Sequence, residues 1–167
     1  MRVIITRPFE YAQEFIDLLD QHDIGHFLLP CLEFVKPSDD YASLDKAIRS
    51  NHEYDWIIFL SKKSAEIFFD RLLELGGHLF HISPRLKIAC VGESTASFIR
   101  DEIGFPVDFV PSQFNSQVFL KEFDPDQVSR LILVRNEIVD DDFVDNLNSR
   151  VIAIDLALAY KTQVPDL

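Results

Sequence analysis

Tyr54-Asp55-Trp56-Ile57-Ile58-Phe59-Leu60-Ser61-Lys62-Lys63-Ser64 is the stretch that decides the fold. The run Trp56-Ile57-Ile58-Phe59-Leu60 is uninterrupted by polar residues and too short for a helix, which reads as a strand covered on both faces. Ser61 then offers an N-cap hydroxyl. Beyond it, Ala65, Phe68, Phe69, Leu72 and Leu73 recur three and four apart, which predicts a helix over 62–75. Strand and amphipathic helix alternating through short loops are the signature of right-handed crossovers and a parallel sheet. The same alternation extends in both directions. Strands are expected at 2–6, 27–34, 86–91, 107–110, 131–134 and 151–156, and helices at 9–21, 94–103, 116–123 and 137–147. The expected fold class is therefore α/β, with a wound, five-stranded parallel sheet over 41–158.

One break divides the pattern. Lys36-Pro37-Ser38-Asp39-Asp40 is polar and carries a proline, and a second link starts at Tyr160 and continues Lys161-Thr162-Gln163-Val164-Pro165. Residues 1–35 are read as a β-α-β fragment of a second, similar domain, 41–158 as a complete inserted domain, and 36–40 and 159–167 as linker strands. A lone β-α-β unit leaves sheet edges unpaired and one apolar face uncovered. It is expected to pack on the inserted domain or on a second copy, a homodimer through the incomplete first domain.

Composition narrows the function. The chain has 47% hydrophobic and 26% charged residues, a globular balance. No apolar run approaches the ~20 residues that span a bilayer, and the start MRVIITRP is too short for a secretory leader. The expected location is the cytoplasm, with no membrane partner. A net charge of −12 with no basic stripe argues against nucleic acid. Cys31 and Cys90 sit in apolar runs without metal or redox spacing and are expected to be small buried hydrophobes. His22, His26, His52, His78 and His81 share no ligand spacing and are expected at the surface. No glycine-rich phosphate loop or nucleophile elbow is present.

Hydroxyl-bearing turns at strand ends remain. They are Ser61-Lys62-Lys63-Ser64, Gly92-Glu93-Ser94-Thr95-Ala96 and Ser112-Gln113-Phe114-Asn115-Ser116. In a parallel sheet they share the carboxyl edge, where wound α/β folds bind ligands. Helix N-terminal amides there suit carboxylates or phosphates. Ser61, Ser94 or Thr95, and Ser116 are equally good helix caps taken singly; together on one edge they point to a polyanion site.

The order of these pieces carries a resemblance. MRVIITRP at 1–8, Leu29-Pro30 before an aliphatic strand, Tyr54 to Ser61, Val91-Gly92-Glu93-Ser94-Thr95-Ala96 and Ala159-Tyr160-Lys161-Thr162 follow the sequence of uroporphyrinogen-III synthases over essentially the whole chain. The resemblance covers the opening β-α-β and the inserted domain of that two-domain family, about its N-terminal two thirds. The chain departs from the family at Leu60, where threonine is common before the serine. It departs again at Arg135-Asn136, where a small residue is common, and at Asn148-Ser149-Arg150, where a glycine is usual.

What the resemblance implies is a lyase of porphyrin and haem biosynthesis. Hydroxymethylbilane, a linear tetrapyrrole polycarboxylate, is cyclised to uroporphyrinogen III with inversion of ring D and loss of water, without cofactor or metal. Tyr160 matches the family's linker tyrosine, placed to protonate the departing hydroxyl. Thr95 and Ser61 match ligand-facing hydroxyls, joined by Ser94 and Ser116. Arg7, Lys62 and Arg135 are the strand-end cations available to offset substrate charge. Because the returning part of the first domain is absent from the resemblance, weak substrate binding and little type III product are expected of the chain alone. Two other readings stay open. One is a shortened or inactive family member acting only as a binding or interaction module. The other is a flavodoxin- or receiver-like binding domain, which the position of Asp140-Asp141-Asp142 at a helix start, not after the first strand, disfavours.

Overall fold

The structure is a computed structural model and describes residues 2–125, 129–138 and 142–165. Its strands are β1 (Arg2–Ile5), β2 (Gly25–Leu28), β3 (Glu33–Val35), β4 (Trp56–Phe59), β5 (Lys87–Cys90), β6 (Arg130–Asn136) and β7 (Ala153–Gln163). Its helices are α1 (Gln13–Gln21), α2 (Ala42–Arg49), α3 (Lys62–Glu74), α4 (Glu93–Ser97), α5 (Ser116–Glu122) and α6 (Asp142–Asn148). A single 3-10 turn, Phe9–Tyr11, precedes α1, and a π-helical stretch, Phe98–Ile103, continues α4 to Gly104.

The main sheet has the order β3-β7-β6-β4-β5. Its strands β5, β4, β6 and β7 run parallel, while β3 pairs antiparallel with β7. The all-parallel expectation is therefore corrected to a mixed sheet. Two local causes account for the difference. The apolar run 27–34 is not one strand, because Leu29-Pro30-Cys31-Leu32 breaks it. Proline lacks a donor for a ladder, so β2 ends at Leu28 and pairs with β1, and β3 starts again at Glu33 in the other sheet. The outgoing strand β3 meets the returning end of β7 head to tail, so the paired linker residues are Glu33–Val35 and 161–163, and 38–40 form a turn. The expected strand at 107–110 reduces to one bridge, Ala89 to Phe109. Pro106 and Pro111 flank it, and the side chain of Asp108 takes the Ile88 N–H at 2.8 Å.

Strand alternation sorts the core onto two faces. Ile57, Phe59, Ile88, Cys90, Ile132, Val134, Ala157 and Ala159 face α2, α3 and α4. Ile58, Ala89, Leu131 and Leu133 face α5 and α6, where Phe119, Phe123, Phe143 and Leu147 fill the layer. Arg71 on α3 fastens α2 through paired bonds to Asp45, 2.7 Å from Nε and 2.9 Å from the guanidinium tip. That contact holds the Asp45 carboxyl below its usual range.

The small unit is thinner. β1 and β2 pair in parallel, with Ile5, Ala12 and Leu19 as its buried residues beneath α1. On the opposite face Ile4 and Phe27 are cross-strand partners, and each is 64% exposed. The unit touches the main sheet's helices at α3. Tyr11 donates to Glu66 at 2.9 Å, and Lys63 reaches Glu10 at 3.0 Å. Among the described residues no helix is long and apolar enough to cross a membrane.

Candidate functional site

The pairings fix what meets at the carboxyl edge. Phe59 lies beside Cys90 and Val134, and Asn136 beside Tyr160. Ser61 and Gly92, which follow β4 and β5, therefore come to the same edge as the paired Asn136 and Tyr160. Ser61 caps α3 as expected: its Oγ accepts the Ser64 N–H at 3.1 Å, and the Ser61 N–H returns to Ser64 Oγ at 3.2 Å. The same Oγ lies 3.2 Å from the Tyr160 hydroxyl. Tyr160 is 8% exposed, its ring edge-on to Phe34 at 5.1 Å. With the Ser61 oxygen accepting from the helix, its own proton can point to the Tyr160 oxygen. The phenol proton is then available to a third group.

Beside this pair is a depression of about 390 Å³ lined by Leu60, Ser61, Lys62, Gly92, Glu93, Ser94, Thr95 and Phe114. Four of the predicted residues, Ser61, Lys62, Ser94 and Thr95, come together here. Thr95 is 4% exposed, whereas Ser94 points outward. Neither caps α4; that position is Gly92, with no side-chain bond. Lys62 extends over the Phe98 ring at 5.0 Å and reaches Glu102 at 3.2 Å and Glu66 at 3.9 Å, so its charge is already partly balanced.

The other predicted residues lie elsewhere. Ser116 lines a neighbouring depression of about 390 Å³ with Leu60, Val91, Asp142 and Phe143, and Asn115, not Ser116, caps α5 by accepting the Gln117 N–H at 2.7 Å. Arg135 is the penultimate residue of β6, but it is buried, and its Nε donates to the Asn136 carbonyl at 3.0 Å. Arg7 is exposed beyond β1 in the small unit and lines neither depression. Asp140 and Asp141 lie outside the described residues, and Asp142 opens α6.

Other expectations divide. Cys90 is buried, which pushes its thiol up to about 12, but Cys31 is exposed because it sits in the break between β2 and β3. Four histidines are exposed and His26 is half-buried, with Nδ1 3.4 Å from Asp20. Among the described residues no group of three or more His, Cys, Asp or Glu is placed to hold a metal ion.

Several contacts around the edge had no separate signal in the sequence. Tyr11, Phe34 and Tyr160 form a run of edge-on rings, with Tyr11 to Phe34 at 5.9 Å. Burial and the Glu66 hydrogen bond push the Tyr11 phenol far above its usual range. Glu137 accepts from the Ser38 N–H at 2.8 Å and its hydroxyl at 2.7 Å, while Asn136 donates to Thr162 at 2.7 Å. The two linkers are thus tied to the end of β6. A lone aromatic inside the polar turn 112–116 was the one visible hint of Phe114.

Hydroxyls, helix N-termini and a phenol gather at the carboxyl edge of a covered α/β sheet, the edge at which wound α/β folds bind ligands. The family model for uroporphyrinogen-III synthase HemD matches residues 13–167, and the chain belongs to that family. A Methanocaldococcus jannaschii protein named for the same synthase is 28% identical over 168 residues, covering 99% of this chain and 64% of the relative. The porphyrin biosynthesis protein HemD of Ruminiclostridium josui is 29% identical over 163 residues, 96% of this chain and 32% of that protein. The chain thus spans less than two thirds of the length of these relatives. Among solved structures, a Thermus thermophilus uroporphyrinogen III synthase superposes with a TM-score of 0.76 at 17% identity, over 99% of this chain and 64% of that one. This last likeness is one of fold.

Proposed function

We propose that the chain supplies the inserted-sheet side of a uroporphyrinogen-III synthase site, which cyclises hydroxymethylbilane to uroporphyrinogen III with inversion of ring D and loss of water. The observation that carries this reading is the Ser61–Tyr160 pair, 3.2 Å apart at the sheet's carboxyl edge beside the depression, in a chain of this family. The chemistry asks little of covalent catalysis. A flexible polycarboxylate must be folded so that the substituted position of ring D meets the cation left by the departing hydroxyl, and positioning dominates such a step. Acetate and propionate carboxylates would accept from Thr95, Ser94 and the first-turn amides of α3, with Lys62 offsetting charge. Tyr160, oriented by Ser61, would donate its proton to the leaving oxygen. Arg7, Arg135 and Ser116, away from this depression, keep at most peripheral roles in substrate binding. The test is to give freshly prepared hydroxymethylbilane to the purified protein and separate the porphyrin isomers. Type III product above the spontaneous level supports the reading; little is expected of this chain alone, and only type I product from a full-length two-domain synthase carrying these residues removes it.

The division into a partial first unit, 1–35, and an inserted unit, 41–158, belongs to the same proposal. The exposed pair Ile4 and Phe27 on a two-stranded sheet supports pairing of this face with a second copy. Sedimentation equilibrium should then report a dimer that Phe27→Glu converts to monomer. A wild-type protein that is monomeric at tens of micromolar would rule out this pairing.

A further inference from the structure

The turn after Phe109 carries one large apolar side chain that the core does not take up. Phe114 is 80% exposed, yet its ring is seated: it lies against the backbone of Gly92 and forms a wall of the depression that holds Ser61 and Thr95. Gly92 is extended, with φ −150° and ψ 157°, a conformation open to any residue. What excludes a side chain there is space. A Cβ on Gly92 would fall 2.8 Å from Phe114 Cε2 and closer still to Cδ2. The glycine therefore lets an aromatic ring lie close against the strand end. Across the depression Thr95 is only 4% exposed, and its side chain forms part of the wall. A hydroxyl in the wall of such a depression can donate to, or accept from, whatever enters it. At about 390 Å³ the depression has room for one small ring with its substituents, not for four rings.

We propose that Phe114 is a positioning residue whose ring stacks on a single pyrrole of the substrate while Thr95 holds an acetate or propionate carboxylate of that same pyrrole. The inference rests on the functional reading above and adds which part of the substrate this depression takes. It accounts for an aromatic in solvent, a glycine under it and a threonine in the wall of the same depression. An electron-rich heterocycle over a phenyl face gains from offset stacking, roughly a three- to tenfold gain in affinity. Phe114 touches no proton in the reaction; it fixes where the ring lies.

The test uses amide chemical-shift titration of the purified protein with two ligands. One is porphobilinogen, a single pyrrole bearing one acetate and one propionate. The other is tricarballylate, an aliphatic polycarboxylate without a ring. Phe114→Ala should weaken the pyrrole acid three- to tenfold and leave tricarballylate unchanged, and Phe114→Tyr should restore pyrrole binding. Gly92→Ala, which displaces the ring without removing it, should copy Phe114→Ala. Thr95→Val should weaken both acids. Pyrrole binding that is indifferent to Phe114 but sensitive to Thr95 overturns the stacking role and leaves the site. Failure of both acids to shift any amide around the depression overturns the site and the stacking together.

Discussion

Phe119→Ala should cost about 4 kcal/mol of folding stability, a large part of what a domain of this size has. Phe119 is fully buried on the α5 face of the main sheet, with ring centroids of Phe109 at 5.2 Å, Phe123 at 4.9 Å and Phe143 at 5.6 Å. Those neighbours come from the bridge strand, α5 and α6, so the gap cannot close by moving one element. Removal leaves a cavity as well as lost transfer energy. The thermal midpoint should fall by roughly 10 °C. Phe114→Ala, the same chemical change a few residues earlier, should be nearly neutral because that ring is largely in water. Urea titrations of the two variants side by side are the check. A loss below about 1.5 kcal/mol for Phe119→Ala would mean that this layer repacks freely.

The second large effect is on catalysis. Under the proposed function, Tyr160→Phe in a full-length two-domain synthase carrying these residues should slow formation of the type III isomer roughly 10–100-fold, the range of one positioned proton donor at its low end. The substitution removes one oxygen and keeps the ring that packs against Phe34, so folding should be retained. Ser61→Ala should lose part of the same rate, because Ser61 orients the phenol, and should also lower stability by about 1 kcal/mol through the lost cap. Replacing any one of the five histidines should do less, since none lies in the depression. The measurement is the initial rate of type III formation against the type I background. A wild-type rate in Tyr160→Phe takes the phenol out of the mechanism.

How much was legible follows from range. β4, β5 and β6 were readable because each is a short apolar run ended by a capping or turn residue, and α3 because Ser61 announces it. The pairing partners were not, since strand order is a matter of distant contacts. Pro30 gave a local warning that 27–34 could not be one strand, and Pro106 and Pro111 gave another for 107–110. The extension of β7 to Gln163 had no local sign, because Lys161 and Thr162 are polar and only their pairing with β3 makes them strand. Ser61, Lys62, Ser94 and Thr95 converge because parallel strands bring their following turns to one edge, which alternation alone implies. Arg135 and Arg7 were chosen for charge and position along the chain. Neither burial nor separation between units is visible in a sequence.

β7 has a consequence for how the molecule transmits force. Its first part is laced to β6 as far as Tyr160, and its last three residues are laced to β3, which carries the small unit. The strand is thus a lever arm continuous across both, and Tyr160 stands at its fulcrum. Any tilt of the small unit bends the strand there or breaks the pairs on one side. Swinging that unit therefore pulls directly on the phenol and on the serine that steadies it.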